Sequence, residues 1–231
     1  MSQPRTILLL NGSPKCERSN SRLIAKFLVE KLEEKGLTSE EFFAARLLSS
    51  SENHEKLLKS VDDADLIILA TPLYVDSVPS FTIKAMETIR EHQKNVNDAG
   101  TKLLIAVMNS GFPEKEHMGI ALKIIQNFAR ESNLRWAGGI TVGMGGALGQ
   151  KPLKDGGGMT AKLTKGLSLA STALARGEPI PEEAEDLASK PFMPIFLARS
   201  YLRTFGNRMW DTEAKNNGAR AEMRARPYAI L

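Results

Sequence analysis

The hydrophobic positions of this chain follow two alternating rhythms. Thr6–Leu10, "ADLIILATP" (64–72), "TKLLIAVMNSG" (101–111) and "RWAGGITVGM" (135–144) are nearly continuous apolar runs, the pattern of strands buried on both faces. Glu41–Leu47 is less regular and predicts a further strand nearer an edge. Between the strands the apolar residues recur at helical spacing. Leu23, Ile24, Phe27, Leu28 and Leu32 follow the capping residues Ser19-Asn20-Ser21 and stop at Gly36. A polar helix is expected over Ser51–Ser60, another over Ser80–His92 with Phe81, Ala85, Met86 and Ile89 inward, and a third carrying Met118, Ala121, Leu122, Ile125 and Phe128. Buried strands alternating with amphipathic helices predict an α/β fold, a parallel sheet covered on both faces. Right-handed crossovers then lead to a doubly wound, five-stranded sheet in the order 2-1-3-4-5.

In such a sheet a ligand binds beyond the carboxyl ends of the strands, where the winding reverses between strands one and three. The loops at that point are "NGSPKCERSNS" (11–21) and "TPLYVDSVPS" (71–80), the two unusual loops of the chain. The first joins a buried strand to a helix start. A helix N-terminus presents N–H groups and a partial positive charge, and Ser13, Ser19, Asn20 and Ser21 add neutral donors around it. That combination suits a phosphate; the plain alternative is a capped helix after a turn. The GxxxxGK[ST] spacing of a triphosphate cradle is absent.

Beyond about Gly145 the character changes. "GGALGQKPLKDGGGMT" reads as a flexible glycine-rich connection, Leu163–Ala175 as a helix, and "GEPIPEEAEDLASKP" as a turn, a short acidic helix and a stop. From Pro194 a helix is expected, with Gly206 near its end. Residues 1–150 are therefore expected to form the ligand-binding domain, and 151–231 a helical extension packed on it or on a second subunit. In the last helix Ile195, Ala198, Leu202, Phe205 and Met209 form a stripe that Phe196, Leu197, Tyr201 and Trp210 widen. Burial in a homodimer is the expectation, and a membrane-surface helix the alternative.

Composition narrows the function. With 231 residues, 42% hydrophobic and 25% charged, the chain can bury a proper core. Its apolar runs fall well short of the roughly 20 residues of a membrane span. No secretion signal is visible, and a cytoplasmic location is expected. A single cysteine, Cys16, excludes an internal disulfide and an all-cysteine iron–sulfur site within one chain, and reads as a bystander thiol. His54, His92 and His117 are scattered and read as solvated surface, so no metal site is expected. The net charge of +4 lies entirely in the tail: from Pro191 onward seven Lys/Arg face three acids. No arginine-rich helix interleaved with base-stacking aromatics appears in the body, which argues against a nucleic-acid partner.

"NGSP" followed by "SNS", with "ADLIILATPLYVDSVPSFTIKAMETI" farther on, resembles the flavodoxin-like NAD(P)H-dependent FMN reductase family over about residues 5–145. The resemblance implies that Ser13, Ser19, Asn20 and Ser21 hold the FMN phosphate. It implies that Pro72, Leu73, Tyr74 and Val75 line the isoalloxazine ring, and that Asn109, Ser110 and Gly111 border its far side. The function it implies is hydride transfer from NADPH or NADH to FMN, then electron transfer to a flavin, quinone or similar small acceptor. Such a transfer needs positioning rather than a side-chain acid or base, so no residue is assigned a catalytic role. An electron-transfer flavoprotein without NAD(P)H activity and a non-catalytic flavodoxin-like binding protein are the competing readings; the basic pI near 9.1 and the long extension favour the enzyme.

Overall fold

The computed structural model describes residues 3–47, 49–94, 102–149 and 152–225. Five parallel strands, β1 (Thr6–Asn11), β2 (Thr38–Phe43), β3 (Leu66–Pro72), β4 (Leu103–Asn109) and β5 (Arg135–Val142), form one sheet in the order β2-β1-β3-β4-β5. The expected doubly wound order is therefore the observed one. Side-chain alternation splits the core in two. Ile7, Leu9 and Ile68 point to one face, where they pack with α1 (Asn20–Glu33) and α5 (Gly157–Ala175). Leu8, Leu10, Ile67 and Leu69 point to the other, beneath α2 (Ser51–Asp63), α3 (Ser80–Gln93) and α4 (Gly119–Glu131). β3 and β4 are buried throughout, which is why both faces of these strands are apolar.

β2 departs from its expected bounds. It begins at Thr38 and ends at Phe43, and Ala44–Arg46 turn into a single 3-10 turn. As an edge strand it exposes Thr38, Ser39 and Glu40, so its first half carries no apolar signal; its position is set by pairing with β1, Thr6 opposite Thr38.

The other edge is sealed by the chain itself. After α5 the chain returns along β5: Ile180 N–H donates to Ala137 O at 2.7 Å, and Gly139 N–H donates to Glu185 Oε1 at 3.0 Å. Glu185 lies on α6 (Glu182–Ala188). Gly138, at φ +124°, permits this approach, since a Cβ there would stand 2.8 Å from Ile180. Paired edge groups give a second chain nothing to extend. Gly166 serves α5 in the same way, its bare Cα admitting the backbone of α6.

The described residues gather into two compact units. One compact unit runs Met1–Phe192 and a second Met193–Leu231, because Leu163, Leu167, Ala170 and Leu174 of α5 belong to the same core as α1. The glycine-rich stretch after β5, expected as a flexible connection, carries short turns in its described residues. Gly145–Leu148 form a 3-10 turn with Met144 and Leu148 buried, and Leu153–Gly156 form another. Gln150 and Lys151 lie outside the described residues.

The second unit consists of α7 (Ile195–Tyr201), a π turn (Leu202–Gly206) and α8 (Asn207–Asn216). The helical path thus continues through Gly206 instead of ending there. The side chains of Ile195, Tyr201 and Leu202 lie outside the described set, as does Arg226.

Burial raises the Glu185 pKa above the usual carboxylate value, assisted by repulsion from Asp186 and Glu182 and opposed by the Gly139 N–H and Lys115. A raised folded-state pKa means that the native protein binds more protons between the unfolded and folded values. Its contribution to stability is therefore full below the unfolded pKa and is lost as pH rises through the folded one. Glu185→Gln keeps an acceptor for Gly139 and removes the buried charge. The variant should melt higher than wild type at neutral pH, with the difference shrinking on acidification; denaturation at a series of pH values measures this, and a wild type more stable than the variant at neutral pH would contradict it.

Candidate functional site

The carboxyl ends of β1, β3 and β4 each release one loop, and the three loops are tied together. At β1, Asn11 is fully buried and organises the turn: its Oδ1 accepts from Ser13 N–H at 3.0 Å, and its Nδ2 donates to Cys16 O at 3.0 Å. Ser13 is buried, and its Oγ accepts from Lys15 N–H at 3.2 Å. A 3-10 turn (Cys16–Arg18) then feeds α1. Ser19 is the cap of α1, its Oγ facing Arg22 N–H at 3.4 Å and Ser21 Oγ at 2.8 Å. Ser13, Ser19 and Ser21 are thus buried around the helix start, with Asn20 half-buried between the last two. The cap expected from the sequence is present, and it places hydroxyls beside N–H groups that have no intrahelical acceptor.

Gly12 locks this loop to the next. Its N–H donates to Ala70 O at 2.8 Å, and its carbonyl accepts from Thr82 Oγ1 at 2.9 Å. Thr82 Oγ1 also lies 3.2 Å from Thr71 Oγ1. A Cβ on Gly12 would stand 2.1 Å from that same oxygen, so only glycine fits.

At β3, Pro72 is buried and Leu73 half-buried, and the chain then reverses in a tight turn. Tyr74 N–H donates to Ser77 O at 2.8 Å and Ser77 N–H returns to Tyr74 O at 3.1 Å. Val75 and Asp76 between them have φ of 49° and 59°, a type I′ turn without its usual Asn-Gly. A β-branched residue in this left-handed region is strained, by roughly 1–2 kcal/mol. Val75 is 98% exposed and Tyr74 41%, so neither belongs to the core.

At β4, Asn109 pairs with Pro72 across the sheet, and its carbonyl accepts from Leu73 N–H at 2.8 Å. Ser110 is buried, its Oγ donating to Phe112 O at 2.9 Å, while Gly111 is exposed. The expected site residues therefore gather at one end of the sheet. The buried Oδ1 of Asn109 has no hydrogen-bond partner. An orphaned acceptor at this position is costly unless a donor meets it.

Sequence reasoning missed three contributors. Asn11 and Thr82 brace the first loop, and the turn after β5 closes the third. Met144 N–H donates to Phe112 O at 2.9 Å, and Gly145 N–H to Ser110 O at 2.8 Å. Gly145 leaves room for the Asn109 amide, which a Cβ would meet at 2.3 Å. The glycines of "GMGG" were the available signal.

A doubly wound α/β sheet with its polar loops at the strand 1–3 switch point belongs to the flavodoxin-like class. Residues 5–112, somewhat less than half of the chain, resemble the family described as NADPH-dependent FMN reductase. No curated protein matches it. Solved structures of similar fold include an FMN-dependent NADH-azoreductase from Bacillus anthracis in complex with FMN, 14% identical, with a TM-score of 0.54 over 74% of this chain and 99% of that one. Another is an NADH:FMN oxidoreductase in its apo form, 12% identical, TM-score 0.55, covering 78% and 94%. A third is rubredoxin oxygen:oxidoreductase from Desulfovibrio gigas, 12% identical, TM-score 0.53, covering 75% of this chain and 35% of that one. At such identities the likeness is one of fold.

Proposed function

We propose that the protein is an FMN-dependent oxidoreductase that takes a hydride from NADPH or NADH and passes electrons to a small acceptor such as a flavin or quinone. The observation that carries this reading is the meeting of two features at one sheet end: a buried hydroxyl cluster at the start of α1 and the unpartnered Asn109 Oδ1. The first suits the phosphate of FMN and the second the hydrogen-bonding edge of its ring. Ser13, Ser19, Asn20 and Ser21 hold the phosphate with neutral donors and the helix end. Pro72, Leu73, Tyr74 and Val75 form the wall against the ring, and Asn109, Ser110 and Gly111 border its other side. Bound FMN supplies the two-electron chemistry; the chain supplies orientation, which the paired loops fix through the Leu73–Asn109 and Thr82–Gly12 bonds.

Anaerobic stopped-flow mixing of the FMN-loaded protein with each nucleotide tests the assignment. Bleaching of the flavin absorbance by one or both is expected; a flavin that binds yet stays oxidised with both would make the protein an electron carrier instead. Tyr74 offers a finer check. Because its side chain is exposed at the loop, Tyr74→Ala should change the flavin spectrum or the reduction rate with little effect on melting. A large fall in melting temperature with unchanged flavin properties would show Tyr74 to be structural only.

A further inference from the structure

We infer that the helical second unit docks on an anionic lipid surface. Large apolar side chains are concentrated there: Phe196, Met209 and Trp210 are 71%, 70% and 64% exposed, and Leu197 is 48% exposed. They are interleaved with charge. From Pro191 to the C-terminus seven Lys/Arg oppose three acids, which leaves residues 1–190 with equal numbers of each. The π turn adds order to the cations, because residues five apart come to the same side of a helix across such a turn. Arg203 and Arg208, both exposed, are five apart across Leu202–Gly206.

The charge selects the occupant. A second copy would bring the same excess of positive charge on its own tail and a body with no net charge to offset it. A lipid surface of anionic headgroups offsets the excess, and the aromatic residues find their preferred depth at the headgroup boundary. Arginine suits that setting, since its stem lies along apolar surface while its head remains in the polar layer. Among the described residues no helix is long and apolar enough to cross a membrane, so the helix lies on the surface. This inference does not depend on the redox reading.

Vesicles of phosphatidylcholine with and without phosphatidylserine test it on the full chain. Co-pelleting with the anionic vesicles only, weakened by salt, is expected. Lipid-borne bromine should quench the fluorescence of Trp210, with the Trp210→Ala variant, which retains Trp136, as the reference. Arg203→Glu with Arg208→Glu should reduce partitioning by at least about tenfold, and Trp210→Ala should abolish the quenching. Circular dichroism and sedimentation confirm that the variants remain folded and in the same assembly. Absence of binding to anionic vesicles at low salt would overturn the inference. So would a dimer that falls apart in the Trp210→Ala variant, which would make a second copy the occupant of this face.

Discussion

Gly12→Ala is expected to disable the site and destabilise the fold together. The new methyl would stand 2.1 Å from Thr82 Oγ1, so Thr82 must turn away and give up its bonds to the Gly12 carbonyl and to Thr71. Overpacking of this kind costs about 1–3 kcal/mol, and each buried hydrogen bond lost adds about 1 kcal/mol. The loop cannot yield instead, because Gly12 N–H is held by Ala70 O and its neighbour Asn11 is fully buried. Chemical denaturation and flavin titration should both report the loss. Thr82→Gly in the same chain removes the clash and should recover part of both. A Gly12→Ala protein as stable as wild type with unchanged FMN affinity would show that the two loops are not coupled through this contact.

The Ser13→Ala/Ser21→Ala variant should keep its fold and lose its cofactor. Hydrogen bonds to a charged group contribute about 1.5–3 kcal/mol each, so two of them correspond to roughly two to four powers of ten in FMN affinity. The cost in stability is smaller, since Ser13 Oγ accepts a local N–H and Ser21 Oγ lies against Ser19 Oγ. The helix cap remains, because Ser19 supplies it. Flavin retained through gel filtration by the double variant as well as by wild type would reduce these serines to ordinary turn and helix-cap residues.

The parts of the fold that could be read from sequence are those whose signal is local. β1, β3 and β4 are buried on both faces, so their apolar runs mark them directly. β2 starts three residues before its expected first residue and ends four before its expected last, because Thr38, Ser39 and Glu40 are exposed at the edge and the pairing with β1 fixes them. The serines of the first loop stand out because they cluster at a strand–helix junction. The contact that braces them does not: Thr82 and Gly12 are 70 positions apart, and neither looks unusual in its own neighbourhood. Glycines mark the turn after β5 but do not say why they are there. They read as flexibility, whereas Gly145 is bare so that the Asn109 amide fits against it. The π turn in the tail is likewise invisible to a periodicity of 3.6, since it inserts one residue into an otherwise regular helical count.

The central claim is that the loop from Gly12 to Ser21 is a phosphate cradle. Equilibrium titration of the flavin-free protein with FMN and with riboflavin tests it most directly, because the two ligands share the ring and differ only in the phosphate. The account predicts FMN to bind at least about a hundredfold more tightly, the value of two or more bonds to a charged group. Equal affinities for FMN and riboflavin, or no binding of either, would contradict it.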